Sequence, residues 1–101
     1  MSDKDFTDTK VERAIDYAKD YIVRVEELQG WGRKREVQAW LPLVLHDLSA
    51  VAENYPKMTD KSLKSDFVSV TSTLIDHEKE YDPNPGKTRS SVDWIKSYLP
   101  L

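Results

Sequence analysis

Val37, Leu41, Val44, Leu48, Val51 and Tyr55 fall on an alternating four-three step, and two other stretches of the chain share that rhythm. Leu63, Phe67, Val70, Leu74, His77 and Tyr81 form the second set; Val11, Ala14, Ala18, Tyr21, Val25 and Leu28 follow it closely. A mean spacing of about 3.5 residues puts each set on one side of an α-helix, the seam along which helices pack at shallow angles. Strand-like alternation, internal repeats and low-complexity tracts are absent.

The breaks between these sets predict the helix boundaries. Residues 1–8 are polar and expected to fray; Thr9 or Thr7 can cap a first helix reaching about Gln29. Gly30 and Gly32, on either side of Trp31, allow the chain to reverse. A second helix is expected over about 33–55, with Trp40, Leu45 and Ala52 widening its apolar face enough to touch two neighbours. Pro42 lies inside it. Its ring clashes with the carbonyl of Gln38, so a kink is expected, although the apolar register continues without a break. Thr59 or Asp60 can cap a third helix ending near Tyr81, followed by the breaker run Asp82-Pro-Asn-Pro-Gly86. A short last helix opens near Ser90, carries Val92, Ile95 and Leu99, and stops at Pro100. Short connections favour antiparallel neighbours, so the expected fold is all-α: an up-down antiparallel bundle of three long helices and one short C-terminal helix, in one domain over 9–101.

Composition narrows the function more than it names it. Fifteen basic residues stand against 18 acidic ones, a net charge of −3, which gives no bulk pull toward nucleic acid or anionic lipid. The absence of cysteine removes disulfides, thiolate zinc sites and cysteine nucleophiles together. The opening Met-Ser-Asp-Lys-Asp lacks the pattern of a signal peptide, and no apolar run reaches a membrane span. A soluble cytoplasmic protein is expected.

Catalytic chemistry has little to rest on. His46-Asp47 resembles the metal-binding pair of the HD-type phosphohydrolases, but that pattern requires further histidines and aspartates, and the chain has two histidines in all. The Glu-x-x-Glu or Glu-x-x-Asp pairs of four-helix NTP pyrophosphohydrolases find a counterpart only in Asp5-x-x-Asp8. His77 occupies a seam position and is expected to be a neutral, hydrogen-bonded core imidazole. No nucleophile elbow or phosphate-cradling loop is present, so no enzyme activity, cofactor or metal is expected.

The run Arg33-Lys34-Arg35 stands out because it opens a helix, where the dipole disfavours cations. One explanation places these residues against the negative pole of helix one and Glu26 and Glu27. The other is a binding surface. In an up-down bundle the 30–32 turn and the 82–90 loop share one end, which would gather Trp31, Arg33, Lys34, Arg35, Lys87 and Arg89. An aromatic among arginines is the composition of protein-interface anchors and also of single-stranded nucleic-acid sites. Lys57, Lys61 and Lys64 make a looser patch at the other end.

A non-enzymatic protein-binding module is therefore expected: a small adaptor, inhibitor or accessory subunit using that Trp-Arg end, with another protein as partner. Its general profile is similar to that of small bacterial immunity proteins and phage-encoded inhibitors. The alternative is an accessory nucleic-acid-binding helical subunit using the clustered cations, and a metal-dependent hydrolase using His46, Asp47 and His77 ranks third. Homo-oligomerisation through an uncovered flank such as Val68 with Ile75 is a separate expectation.

Overall fold

A computed structural model describes residues 6–81 and 89–101. They form α1 (Phe6–Glu27), α2 (Gly30–Val51), a 3₁₀ turn (Ala52–Lys57), α3 (Lys61–Tyr81) and α4 (Arg89–Tyr98). No strand occurs among the described residues. The first three helices pack on one another, and α4 lies against α2 and the 3₁₀ turn. The fold is thus an all-α bundle with α2 at its centre.

Side-chain ties fix the directions of the helices. Thr59 donates its hydroxyl to Asp8 Oδ2 (3.3 Å), Lys19 pairs with Asp66 (3.3 Å), and Tyr21 Oη lies 3.0 Å from His77 Nδ1. Numbers rise together along α1 and α3, so these helices are parallel. Between them α2 runs the other way: Trp40 meets Tyr17 and Tyr21, and Gln38 donates to the carbonyl of Tyr81 at 3.1 Å.

The middle of each seam is buried where the four-three step places it, whereas Leu28, Val51, Tyr55, His77 and Tyr81 toward the ends are partly buried. Val37, Leu41, Val44 and Leu48 of α2 are closed to solvent by Val11, Ile15, Ala18, Tyr21 and Val25 of α1 and by Phe67 and Leu74 of α3. Val92, Ile95 and Leu99 cover the remaining side. Ile75 is buried as well, which closes the flank it was expected to leave open with Val68.

The boundaries differ from the expected ones for local reasons. α1 begins at Phe6, ahead of Thr9, and Asp8 is a buried residue tied to Thr59. α2 begins at Gly30, so Trp31 and Gly32 lie in its first turn and not in a loop. It passes through Pro42 as one element, then tightens after Val51 into the 3₁₀ turn containing Pro56. Asp60 caps α3 by accepting the Leu63 N–H at 3.1 Å, a choice over Thr59 that leaves Thr59 free to bind Asp8. The 82–86 breaker run lies outside the described residues.

Leu48 is fully enclosed at the meeting point of the helices. Leu48→Ala is expected to lower unfolding free energy by about 2–5 kcal/mol, a large fraction of a small domain's stability, in urea or thermal melts. A melt unchanged within a degree or two would contradict this packing.

Candidate functional site

The α1–α2 elbow begins with an electrostatic problem. α1 ends on Glu26 and Glu27, two carboxylates at the negative pole of its dipole, and α2 opens on three cations at its positive pole. The chain reverses in three residues: the Leu28 N–H bonds back to Val25 O at 3.1 Å, Gln29 is extended, and Gly30 takes a φ of 58°. A side chain at position 30 would meet no neighbour, so the requirement for glycine is the left-handed backbone itself.

Arg33 resolves the conflict between the two poles. Its Nε donates to the carbonyls of Leu28 (2.9 Å) and Val25 (3.1 Å), and Nη2 donates to that of Glu26 (3.1 Å). The guanidinium therefore serves as a C-terminal cap for α1, reaching the carbonyls of Glu26 and Leu28 and sharing that of Val25 with the Leu28 N–H. Lys34 and Arg35 take no part in this cap. Both are exposed, and neither has an acidic ion-pair partner among the described residues. Arg35 lies over the Trp31 ring, 5.5 Å from its centroid, and Trp31 is 71% exposed. One helical turn thus presents to solvent an indole with a guanidinium over its ring.

The expected six-residue cluster is only partly assembled. Trp31, Lys34 and Arg35 stand together, with Arg33 beside them but committed to α1. Arg89 does not join them: it lines a hollow with Glu78, Val92, Asp93 and Lys96, while Ser90 and Ser91 face His46, Ser49 and Ala50. His46 is about 16 Å further along α2 than Arg35, at 1.5 Å per residue. The cause is the return path of α4, whose apolar face seats on α2 and the 3₁₀ turn below the elbow. Lys87 lies outside the described residues. At the opposite end Lys57 and Lys61 are exposed, and Lys64 stacks on Tyr55 with Nζ 4.6 Å from the ring centroid.

The histidines are separated. His46 and Asp47 are exposed on α2, whereas His77 is half-buried against Tyr21. No group of three histidine or carboxylate residues among the described residues is placed to hold a metal ion. His77 instead belongs to a run of edge-on or tilted rings, Tyr17–Trp40–Tyr21–His77–Tyr81, with neighbouring centroids 5.6–6.1 Å apart. Burial, reinforced by Tyr81, holds the Tyr21 phenol well above its usual value, so it stays protonated beside the imidazole. Burial also pushes the His77 pKa below its usual 6.5; Glu80, Glu26 and Asp76 oppose that shift and Arg33 adds to it.

Comparison of the chain with protein-family models, with curated proteins and with solved structures gives no match.

Two outcomes are expected. Arg33→Ala should lower unfolding free energy by about 1–3 kcal/mol, while Arg35→Ala stays within about 0.5, as measured by urea titration. In the second, acidification below about 6.5 protonates His77 in the unfolded chain before the folded one, so stability is full above that pH and declines beneath it. The melting temperature should therefore fall between pH 7 and pH 5, and more weakly in His77→Gln.

Proposed function

We propose that this chain is a non-enzymatic protein-binding module, an adaptor, inhibitor or accessory subunit of the cytoplasm, acting through the turn that carries Trp31, Lys34 and Arg35. The observation that carries this reading is the 71% exposure of Trp31 with Arg35 stacked on it. A tryptophan left in water forgoes about 1.5–3 kcal/mol of burial available to a large apolar side chain, a loss that contact with a partner recovers. Tryptophan and arginine are also the residues that most often dominate protein interfaces.

The same residues support a phosphate-binding reading less well. With Arg33 spent on α1 and Arg89 elsewhere, two cations remain beside the indole. Neutralising two phosphates would give a logarithmic salt slope of only about −1.4 to −1.8. No helix among the described residues is long and apolar enough to cross a membrane, which favours a partner met in water.

Capture from a lysate of the producing cells, with and without nuclease, tests the proposal. A stoichiometric protein partner should survive nuclease and be lost with the folded double variant Trp31→Ala, Arg35→Ala. Nuclease-sensitive recovery would replace this reading with the nucleic-acid one, and a partner retained by the variant would move the site elsewhere.

A further inference from the structure

The chain contains five tyrosines and three tryptophans but no cysteine. A one-electron oxidation that reaches such a protein finds no thiol to end on, and falls to the indoles and phenols as the most easily oxidised groups left. Where it comes to rest then depends on which rings touch and which of them has a base to receive a proton.

The row of rings through the bundle answers both questions. Trp40 is half-buried, so a small oxidant can reach it, and its ring stands edge-on to Tyr21 with centroids 5.6 Å apart, in van der Waals contact. The indole Nε1–H donates to Tyr17 Oη at 2.9 Å. A neutral phenol oxygen is too weak a base to take the indole proton, so an oxidised Trp40 keeps that proton and stays a strong electron acceptor. Tyr21 is fully enclosed, and its hydroxyl has one hydrogen-bond partner among the described residues, His77 Nδ1 at 3.0 Å. A buried O–H requires an acceptor, so Tyr21 donates and the imidazole carries its own proton on Nε2.

Burial restricts how this phenol can be oxidised. Loss of the electron alone would leave a radical cation in an apolar site, and prior loss of the proton would leave a phenolate there; both are penalised as buried charges. Electron and proton must therefore leave together. His77 Nδ1 stands at the distance that proton transfer requires. The imidazolium so formed would face the carboxylates of Glu26 on α1 and of Asp76 and Glu80 on α3, with Arg33 of α2 opposing them and the Tyr81 ring edge-on to it.

We propose that Tyr21 and His77 form a proton-coupled redox pair that stores one oxidising equivalent, loaded through Trp40 by a small diffusible radical acting as one-electron oxidant. The radical takes one electron from the Trp40 indole and is reduced to its anion. Trp40 recovers an electron from Tyr21, and the hydroxyl proton of Tyr21 passes to His77 Nδ1. One O–H bond breaks, one N–H bond forms, and the products are a phenoxyl radical, an imidazolium and an unchanged indole. Enclosure then keeps the phenoxyl ring from meeting a second radical, the coupling by which exposed phenoxyls are lost. This activity uses side chains apart from Trp31, Lys34 and Arg35 and does not depend on the protein-binding reading.

Pulse radiolysis of the full-length protein with azide radical as the oxidant tests the proposal, in a Trp31→Phe, Trp94→Phe background that leaves Trp40 as the one indole. The expected result is that indolyl absorbance gives way to tyrosyl absorbance at a first-order rate that does not change with protein concentration and is slower in deuterium oxide. High-field electron paramagnetic resonance of rapidly frozen samples should show a hydrogen-bonded phenoxyl radical. Its yield should fall at least fivefold in Tyr21→Phe. Transfer should slow at least tenfold in His77→Gln protein with the circular dichroism of wild type, because the proton has lost its acceptor. A radical yield unchanged in Tyr21→Phe would place the oxidation on another tyrosine and overturn the proposal. So would a rate unchanged in His77→Gln, or one that rises with protein concentration. Should His77→Gln fail to fold, the unsubstituted pair decides: equal rates in water and deuterium oxide, or a phenoxyl without a hydrogen bond, would overturn it.

Discussion

The guanidinium of Arg33, folded back over the last carbonyls of α1, is the contact on which the arrangement of this bundle turns. It allows a helix ending in two glutamates to stop abruptly, and it allows the next helix to start on a cationic run. Without it, unpaired carbonyls and crowded carboxylates would sit where the chain must reverse, at a single left-handed glycine. The direction of α2 follows from that elbow, and the other elements pack on α2. The same contact decides which cations stay in solvent: the Arg33 guanidinium is held on α1, while Lys34 and Arg35 remain exposed.

Below the elbow the structure turns from charge to aromatic packing. Rings from α1, α2 and α3 meet in sequence, with the Trp40 indole donating to Tyr17 at 2.9 Å and the Tyr21 hydroxyl against His77. These polar atoms sit where three helices converge, and each finds a partner on another helix. Leucines alone could fill such a space in several ways; matched donors and acceptors fix a register between helices. Thr71 is an exception, fully buried on α3 with a hydroxyl that has no hydrogen-bond partner among the described residues.

Much of this was legible in the sequence. The four-three step of Val37 to Leu48 and of Leu63 to Leu74 falls on buried residues, because burial follows helix periodicity, while Leu45, Thr71 and Ile75 beside the step are buried by the neighbours that widen it. His77 was readable as a hydrogen-bonded seam residue for the same reason, although its partner Tyr21 was not. The candidate site was less accessible. That Arg33 would cap α1 while Arg35 stacked on Trp31 depends on side-chain directions across a tight reversal, and composition treats the two arginines alike. Chain direction alone points Arg89 toward the elbow, whereas the apolar face of α4 determines where that helix lands, with Ser90 and Ser91 facing His46 and Ser49. Leu43 lies well round the helix from Val37, Leu41, Val44 and Leu48 at 100° per residue, so its exposure follows from the same periodicity.

The elbow separates two duties that small proteins often combine. Gly30 and Arg33 hold the backbone, while the neighbouring Trp31, Lys34 and Arg35 are exposed, and Arg35 lies over the Trp31 ring. Changes at those three positions would alter the chemistry of the exposed surface while the folding of the bundle remained nearly the same. Such a frame lets the exposed turn vary over evolution without passing through unstable intermediates, and the turn can be randomised in the laboratory on the same terms.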